Sequence, residues 1–294
     1  MKPSFEEVAI ATMSAKKADN GGHALRVRFW VSQFGQVPAA EVTPEMVADG
    51  IDALLKTNKV LLQRTREGLV RIDSGKPLAP SSINRYVSTL GTVFKQARAM
   101  RLTPRGHVSP TLHAERLPES PGRTVSITIP EVHQLINACR LSRNRKLAAM
   151  VAVACTTGLR RGSIQELTWG RTNLDEGWLD IPTTKNGTPM RSPLLPWVVK
   201  ELKAIKPTTV PPDHPVFGNK SVKRALATAM KLADLPENWT FHHLRHISAS
   251  VLAQSGASTV QIMAVLNHKT PSMALRYSHL NASSQRAALA AAWV

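Results

Sequence analysis

His242 and Arg245 stand three positions apart behind Thr240 in the run Thr240-Phe241-His242-His243-Leu244-Arg245-His246. A helix that starts at Thr240 brings both onto one face, and its N-terminus adds free N–H groups and the positive dipole end. Imidazole, guanidinium and helix end together suit a phosphate. One His-x-x-Arg pair is a weak signal, so the rest of the chain must support it. His268 follows in Leu266-Asn267-His268-Lys269-Thr270-Pro271, and Tyr277 in Leu275-Arg276-Tyr277-Ser278-His279-Leu280. Tyrosine, with a reference pKa of about 10, becomes a nucleophile only beside a base or cations. Upstream, Thr156-Thr157-Gly158-Leu159-Arg160 closes an apolar run at a glycine. Arg160 and Arg161 after such a run need an anion or an exit to water. Lys185 falls in Lys185-Asn186-Gly187-Thr188, where an ordinary turn lysine is an equal reading.

These residues must be held by helices. Thr240 and Gly256 mark the start and stop of the helix with His242 and Arg245, and Thr270-Pro271 are N-cap and first residue of the helix with Tyr277. Pro130-Glu131 opens a helix carrying Val132, Leu135, Ile136 and Cys139, and Leu147 to Cys155 reads as a buried central helix. Strand character is expected only between Trp178 and Leu195, around a tight turn at Asn186-Gly187. In the first hundred residues a helix begins near Thr43, with Pro44 at its first position and Val47, Ile51, Leu54 and Leu55 on one face. Another runs from about Ser81 to Met100. Its Ile83, Tyr86, Val87, Leu90, Val93, Phe94 and Ala97 follow helical spacing, leaving Arg85, Lys95 and Arg98 elsewhere on the circumference, as a solvated or a DNA-tracking face. Residues 103–123 collect Pro, Gly, Ser and charge without periodicity, as an interdomain linker does.

Composition agrees with a polyanionic partner. The 294 residues carry 38 Lys and Arg against 20 Asp and Glu, a net charge of +18, scattered through amphipathic segments and not blocked into dense basic runs. The two cysteines, Cys139 and Cys155, lie in apolar helical patterns without zinc-type spacing, so buried free thiols are expected and no metal site. The N-terminus has acids where a signal peptide has its apolar run, and no stretch approaches the ~18 apolar residues of a membrane span, so a cytoplasmic protein without a membrane partner is expected.

The ordered set Arg160, Lys185, His242-x-x-Arg245, His268, Tyr277 resembles the tyrosine recombinase (phage integrase) family. TGLRRGSIQELTW, TKNGTPMRSPL, FHHLRHISAS and LNHKTPSMALRYSHL are similar to the family's successive boxes, and SSINRYVSTLGTVFKQAR to the last helix of its core-DNA-binding domain. The resemblance implies a mainly α fold with a small antiparallel β-hairpin in the catalytic domain, arranged as a two-domain, C-shaped DNA clamp. Its parts would be a helical core-binding domain at 1–105, a linker at 106–125 and a catalytic domain at 126–294. It implies Tyr277 as nucleophile forming a 3′-phosphotyrosine, Arg160 and Arg245 on the phosphate oxygens, His242 and His268 as hydrogen-bonding and proton-handling groups, and Lys185 as acid for the leaving 5′-oxygen. Arg85, Lys95, Arg98 and Arg161 are further candidate DNA contacts. No cofactor, ATP or metal is needed. Implied partners are double-stranded DNA with specific core sites, a dimer on each site and a tetramer in the synapse, and an accessory DNA-bending protein; a bacterial or phage source is implied too.

Ser163 stands where the family has an acidic residue, with Glu166 as a partial substitute; His243 stands where aspartate is common and Asn267 where glycine is common. A type IB topoisomerase and a DNA-binding relative without catalysis are the alternative readings. The segment after Asn281, with Leu289 and Trp293 among alanines, is expected to dock on its own domain or on a neighbouring protomer.

Overall fold

The computed structural model describes residues 2–15, 22–65, 68–120, 127–182, 188–236, 238–277 and 289–290. They form two compact units, residues 1–121 and 122–294.

The first unit holds helices α1 (Phe5–Ser14), α2 (Gly22–Phe34), α3 (Pro44–Leu55) and α4 (Pro80–Ala99). Each start has a local cause. Ser4 Oγ accepts from the Glu7 N–H while the Glu7 carboxylate accepts from the Ser4 N–H, a capping box. Thr43 Oγ1 accepts from the Met46 N–H, and Pro44 supplies a preset φ at the first position. The core gathers Phe5, Trp30, Phe34, Leu54, Leu90 and Phe94. Trp30 lies so close to α3 that a Cβ at Gly50 would come within 2.3 Å of its ring, and its indole N–H donates to the Tyr86 carbonyl at 2.9 Å. On α4 the expected stripe Ile83, Val87, Leu90, Val93, Phe94 and Ala97 is buried, Tyr86 half-buried, and Arg85, Lys95 and Arg98 face solvent. On α3 Leu55 is exposed, outside the stripe expected for it.

The expectation that strands occur only between Trp178 and Leu195 is corrected here. β1 (Asn58–Thr65) and β2 (Gly68–Pro77) pair antiparallel, in register from Val60 opposite Asp73 to Thr65 opposite Gly68. Val60, Leu61, Val70 and Ile72 are all exposed. A strand is read from alternation because one face is buried; Val60 and Leu61, successive and so on opposite faces of the ribbon, are both exposed, so the sequence has no reason to alternate there.

After α4 the chain turns back and is tied down. The Asn84 side chain donates to the Leu117 carbonyl and accepts from the Leu117 N–H, and Arg116 donates to the Asn84 carbonyl. Ala114 and Leu117 pack against the first core. Residues up to 120 of the stretch expected as a linker therefore lie along α4, and 121–126 are outside the described residues.

The second unit is built around α6 (Leu147–Thr157), whose residues from Leu147 to Cys155 are all buried. It is covered by α5 (Ile129–Arg140), α8 (Pro196–Ile205) and α10 (Phe241–Gln254). An all-apolar helix needs cover on every side, and these neighbours provide it. Between them run the short α7 (Arg161–Gln165) and a three-stranded antiparallel sheet in the order β3 (Thr172–Asn173), β4 (Trp178–Ile181), β5 (Met190–Pro193). The β4–β5 pairing runs from Trp178 opposite Pro193 to Ile181 opposite Met190. The expected Asn186-Gly187 turn, with Lys185, falls in residues 183–187, outside the described residues.

Helices α9 (Lys223–Leu232), α11 (Thr259–Leu266) and α12 (Pro271–Leu275) complete the unit. α11 and α12 fold onto α10 through a small apolar cluster of Ala249, Ala253, Ile262, Leu266, Ala274 and Tyr277. No helix among the described residues is long and apolar enough to cross a membrane.

Candidate active site

The site forms where three helix ends meet: the C-terminus of α6, the N-terminal half of α10 and the C-terminus of α11. Gly158 ends α6 in the left-handed conformation, φ 61°. A Cβ there would lie 3.0 Å from the Leu266 side chain and 3.1 Å from Ser248 Oγ, so glycine serves both the turn and the close approach. Asn267 ends α11, also left-handed at φ 51°; asparagine tolerates that region, which explains how it stands where glycine is common.

Arg245 joins these ends. The residue is 7% exposed, and its guanidinium donates from Nη1 to the Gly158 carbonyl and from Nη2 to the Leu266 carbonyl, each at 2.6 Å. Both acceptors sit at helix C-termini, the negative ends of their dipoles, and this lets a buried cation persist without a carboxylate. Burial, and after it the nearby Arg160, pull its pKa down to about 10. Arg160 is the N-cap of α7 and half-buried; Arg161, the next residue, is exposed. Among the described residues no carboxylate is ion-paired with Arg160, Arg161 or Arg245. Ser163 faces a cavity of about 260 Å³ shared with Glu166, Arg171 and Asp180, and Glu166 makes no ion pair with Arg160.

Four imidazoles gather at the same place. His243 caps its own helix: its Nδ1 accepts from the Thr240 N–H at 2.9 Å, the job an aspartate would do at that position. His242, one residue earlier, is exposed, and partial desolvation together with Arg245, His243 and Arg160 lowers its pKa. His268 follows Asn267, and its Nδ1 is buried without a hydrogen-bond partner among the described residues. Burial first, then Arg245, Arg160, Arg276 and His246, lower its pKa to about 4.

Tyr277 lies just past the end of α12, its N–H bonded to the Ala274 carbonyl, and is 3% exposed. Burial raises its pKa against the opposing pull of Arg276 and Arg245, so the hydroxyl is protonated at neutral pH. Its Oη lies 2.5 Å from Nδ1 of His246. Sequence reasoning passed over His246: it adjoins Arg245, but its relation to Tyr277, 31 residues on, has no periodic or spacing signal. Of the expected set, then, Arg160, His242, Arg245, His268 and Tyr277 converge, and Lys185 lies outside the described residues. Arg85, Lys95 and Arg98 belong to the other unit. No group of three His, Cys, Asp or Glu side chains among the described residues is placed to hold a metal ion.

A protonated tyrosine, arginines with no carboxylate partner among the described residues, and the neutral imidazoles of His246 and His268 form, as a class, an arrangement chemically suited to nucleophilic attack on an anionic ester. The chain belongs to the phage integrase family of tyrosine recombinases, whose sequence pattern matches residues 126–284, more than half its length. It is 28% identical over 213 residues to the shufflon-specific DNA recombinase of Escherichia coli, covering 71% of this chain and 53% of that protein. It is 22% identical over 286 residues to the integrase of Haemophilus phage HP1, covering 92% and 74%. The chain thus spans about half the length of the first relative and three quarters of the second. In fold it resembles the Tn1549 transposon integrase in complex with transposon right-end DNA, with a TM-score of 0.71, 14% identity and coverage of 99% and 100%. It also resembles a lambda integrase dimer bound to a core site, with a TM-score of 0.63, 18% identity and coverage of 95% and 77%.

Proposed function

We propose that this chain is a site-specific DNA recombinase that cuts and rejoins strands through a 3′-phosphotyrosine at Tyr277. The observation that carries the reading is the gathering of Arg160 beside Arg245 and of Arg245 beside Tyr277, with no carboxylate among the described residues ion-paired to either arginine, a positive site that a phosphodiester would balance. Arg160 and Arg245 hold the non-bridging oxygens and stabilise charge on pentacoordinate phosphorus; Arg245, already fixed by its two carbonyl bonds, needs no reorganisation during reaction. His242 and His268 add hydrogen bonds, and Lys185 protonates the departing 5′-oxygen. The phosphoester energy is kept in the covalent bond, so resealing needs neither ATP nor metal.

Double-stranded DNA with specific core sites is the substrate. Arg85, Lys95 and Arg98 of the first unit, and Arg161 of the second, contact its backbone, supported by their exposure and the net charge of +18. Two protomers act on each site and four in the synapse, with an accessory DNA-bending protein, on the DNA of a bacterial cytoplasm. The domains run 1–105 and 126–294, joined by 106–125. A nicked suicide duplex carrying a core site, to be found by sequencing the DNA that flanks the coding region for an attachment-site repeat, tests the reading: the chain should form a protein–DNA adduct that Tyr277→Phe abolishes. An adduct that survives Tyr277→Phe sinks it, and relaxation of any supercoiled plasmid without sequence preference would favour a topoisomerase.

A further inference from the structure

The hydrogen-bond partner of the Tyr277 hydroxyl is His246, a residue outside the set assigned above. It lies one turn after His242 on α10, the two rings edge to face with centroids 5.0 Å apart, and its ring centroid is 6.1 Å from that of Tyr277. His246 therefore neighbours both His242 and the nucleophile. Among the described residues the groups that face it are His242, His243 and Arg245 from its own helix, His268 from the turn after α11, and Arg276 and Tyr277 at the end of α12. No carboxylate is among them.

We propose that His246 is the group that takes the proton of Tyr277, and that it becomes an effective base when a DNA phosphate enters the site. This rests on Tyr277 being the nucleophile. As Oη bonds to phosphorus, its proton passes to Nδ1 of His246. The P–O5′ bond breaks with its electron pair on the 5′-oxygen, which is protonated from the opposite side, the role given to Lys185. In religation the 5′-hydroxyl attacks, the P–Oη bond breaks, and His246 returns the proton to Oη. No co-reactant enters.

The surroundings account for the coupling to substrate. Burial first, then His242, His243, Arg276 and Arg245, hold His246 down to about 4. The imidazole is thus neutral and able to accept from a protonated tyrosine, but a weak base. A phosphodiester between Arg160 and Arg245 brings negative charge into this cluster, offsets the cations that depress the ring, and strengthens the base when the nucleophile is needed.

The test is single-turnover adduct formation on the nicked suicide duplex, with Tyr277→Phe as the blank. His246→Asn leaves an oxygen acceptor near the position of Nδ1 but cannot carry a proton. At neutral pH it should slow the adduct by about 10²–10⁴-fold, the usual contribution of a general base, with the remaining rate rising in proportion to hydroxide. A duplex with a 5′-bridging sulfur, which departs without protonation, should rescue Lys185→Ala and not His246→Asn. A wild-type rate and pH profile in His246→Asn, or its rescue by the bridging sulfur, overturns the proposal. Should that variant not fold, ¹⁵N NMR of the unaltered chain decides. The expected result is a proton on Nε2 of His246 and a titration midpoint that rises on DNA binding; a proton on Nδ1, or a midpoint indifferent to DNA, overturns it. Absence of any adduct from the unaltered chain would instead overturn the recombinase reading itself.

Discussion

The Arg245 guanidinium donates to the carbonyl oxygen of Gly158, 87 residues away in sequence, at 2.6 Å. Its other terminal nitrogen holds Leu266, so one side chain fixes two helix ends and its own place in the site. Substituting Arg245→Lys keeps the charge but leaves a single ammonium, which cannot span both carbonyls. One buried acceptor then loses its partner, at a cost of about 1–3 kcal/mol. Urea unfolding should show that loss, and adduct formation should fall even under conditions where the variant is fully folded.

At Gly158, alanine meets two obstacles, a φ of 61° and a Cβ about 3 Å from Leu266 and Ser248. Gly158→Ala should cost more than the ~1 kcal/mol of an unfavourable backbone conformation alone. A midpoint in urea equal to that of the unaltered chain would show that the turn relaxes freely.

Stability should depend on pH below neutrality. His246 and His268 have folded-state values of about 4, below the 6.5 of a free imidazole. Between those values the unfolded chain binds protons that the folded chain does not, so stability rises with pH across the window and is lost as pH falls from about 6.5 toward 4. Denaturant titrations at intervals from pH 7 to pH 4 check this, and replacing both histidines by asparagine should flatten the curve. A stability that holds constant over the range would contradict the burial of these rings.

His243 acts as a cap, and the variants His243→Asp and His243→Ala separate that role from any part in the reaction. Aspartate still offers an acceptor to the Thr240 N–H and adds negative charge at the positive end of α10. His243→Asp should therefore match or exceed the thermal stability of the unaltered chain, whereas His243→Ala should lose about 1 kcal/mol. Equal melting temperatures for the two variants would count against the cap.

Much of the frame was legible along the chain because it is written locally. Thr43-Pro44, Thr240 and Thr270-Pro271 begin helices where capping chemistry places them. The stripes of α4 and α5 are buried as their spacing requires. The β1–β2 ribbon was not legible, since backbone pairing without a buried face writes no alternation into the sequence.

By itself the sequence determined which side chains are available for chemistry and in what order, because residue type and spacing within one helix are local properties. Arg160, His242, Arg245, His268 and Tyr277 could be picked out from it. Only the tertiary structure decided who touches whom. Packing of α11 and α12 onto α10 brings Tyr277 to His246, and burial at that junction keeps the tyrosine protonated and the imidazole neutral. Contacts between helices depend on how distant segments fill shared space, and no spacing along the chain encodes that.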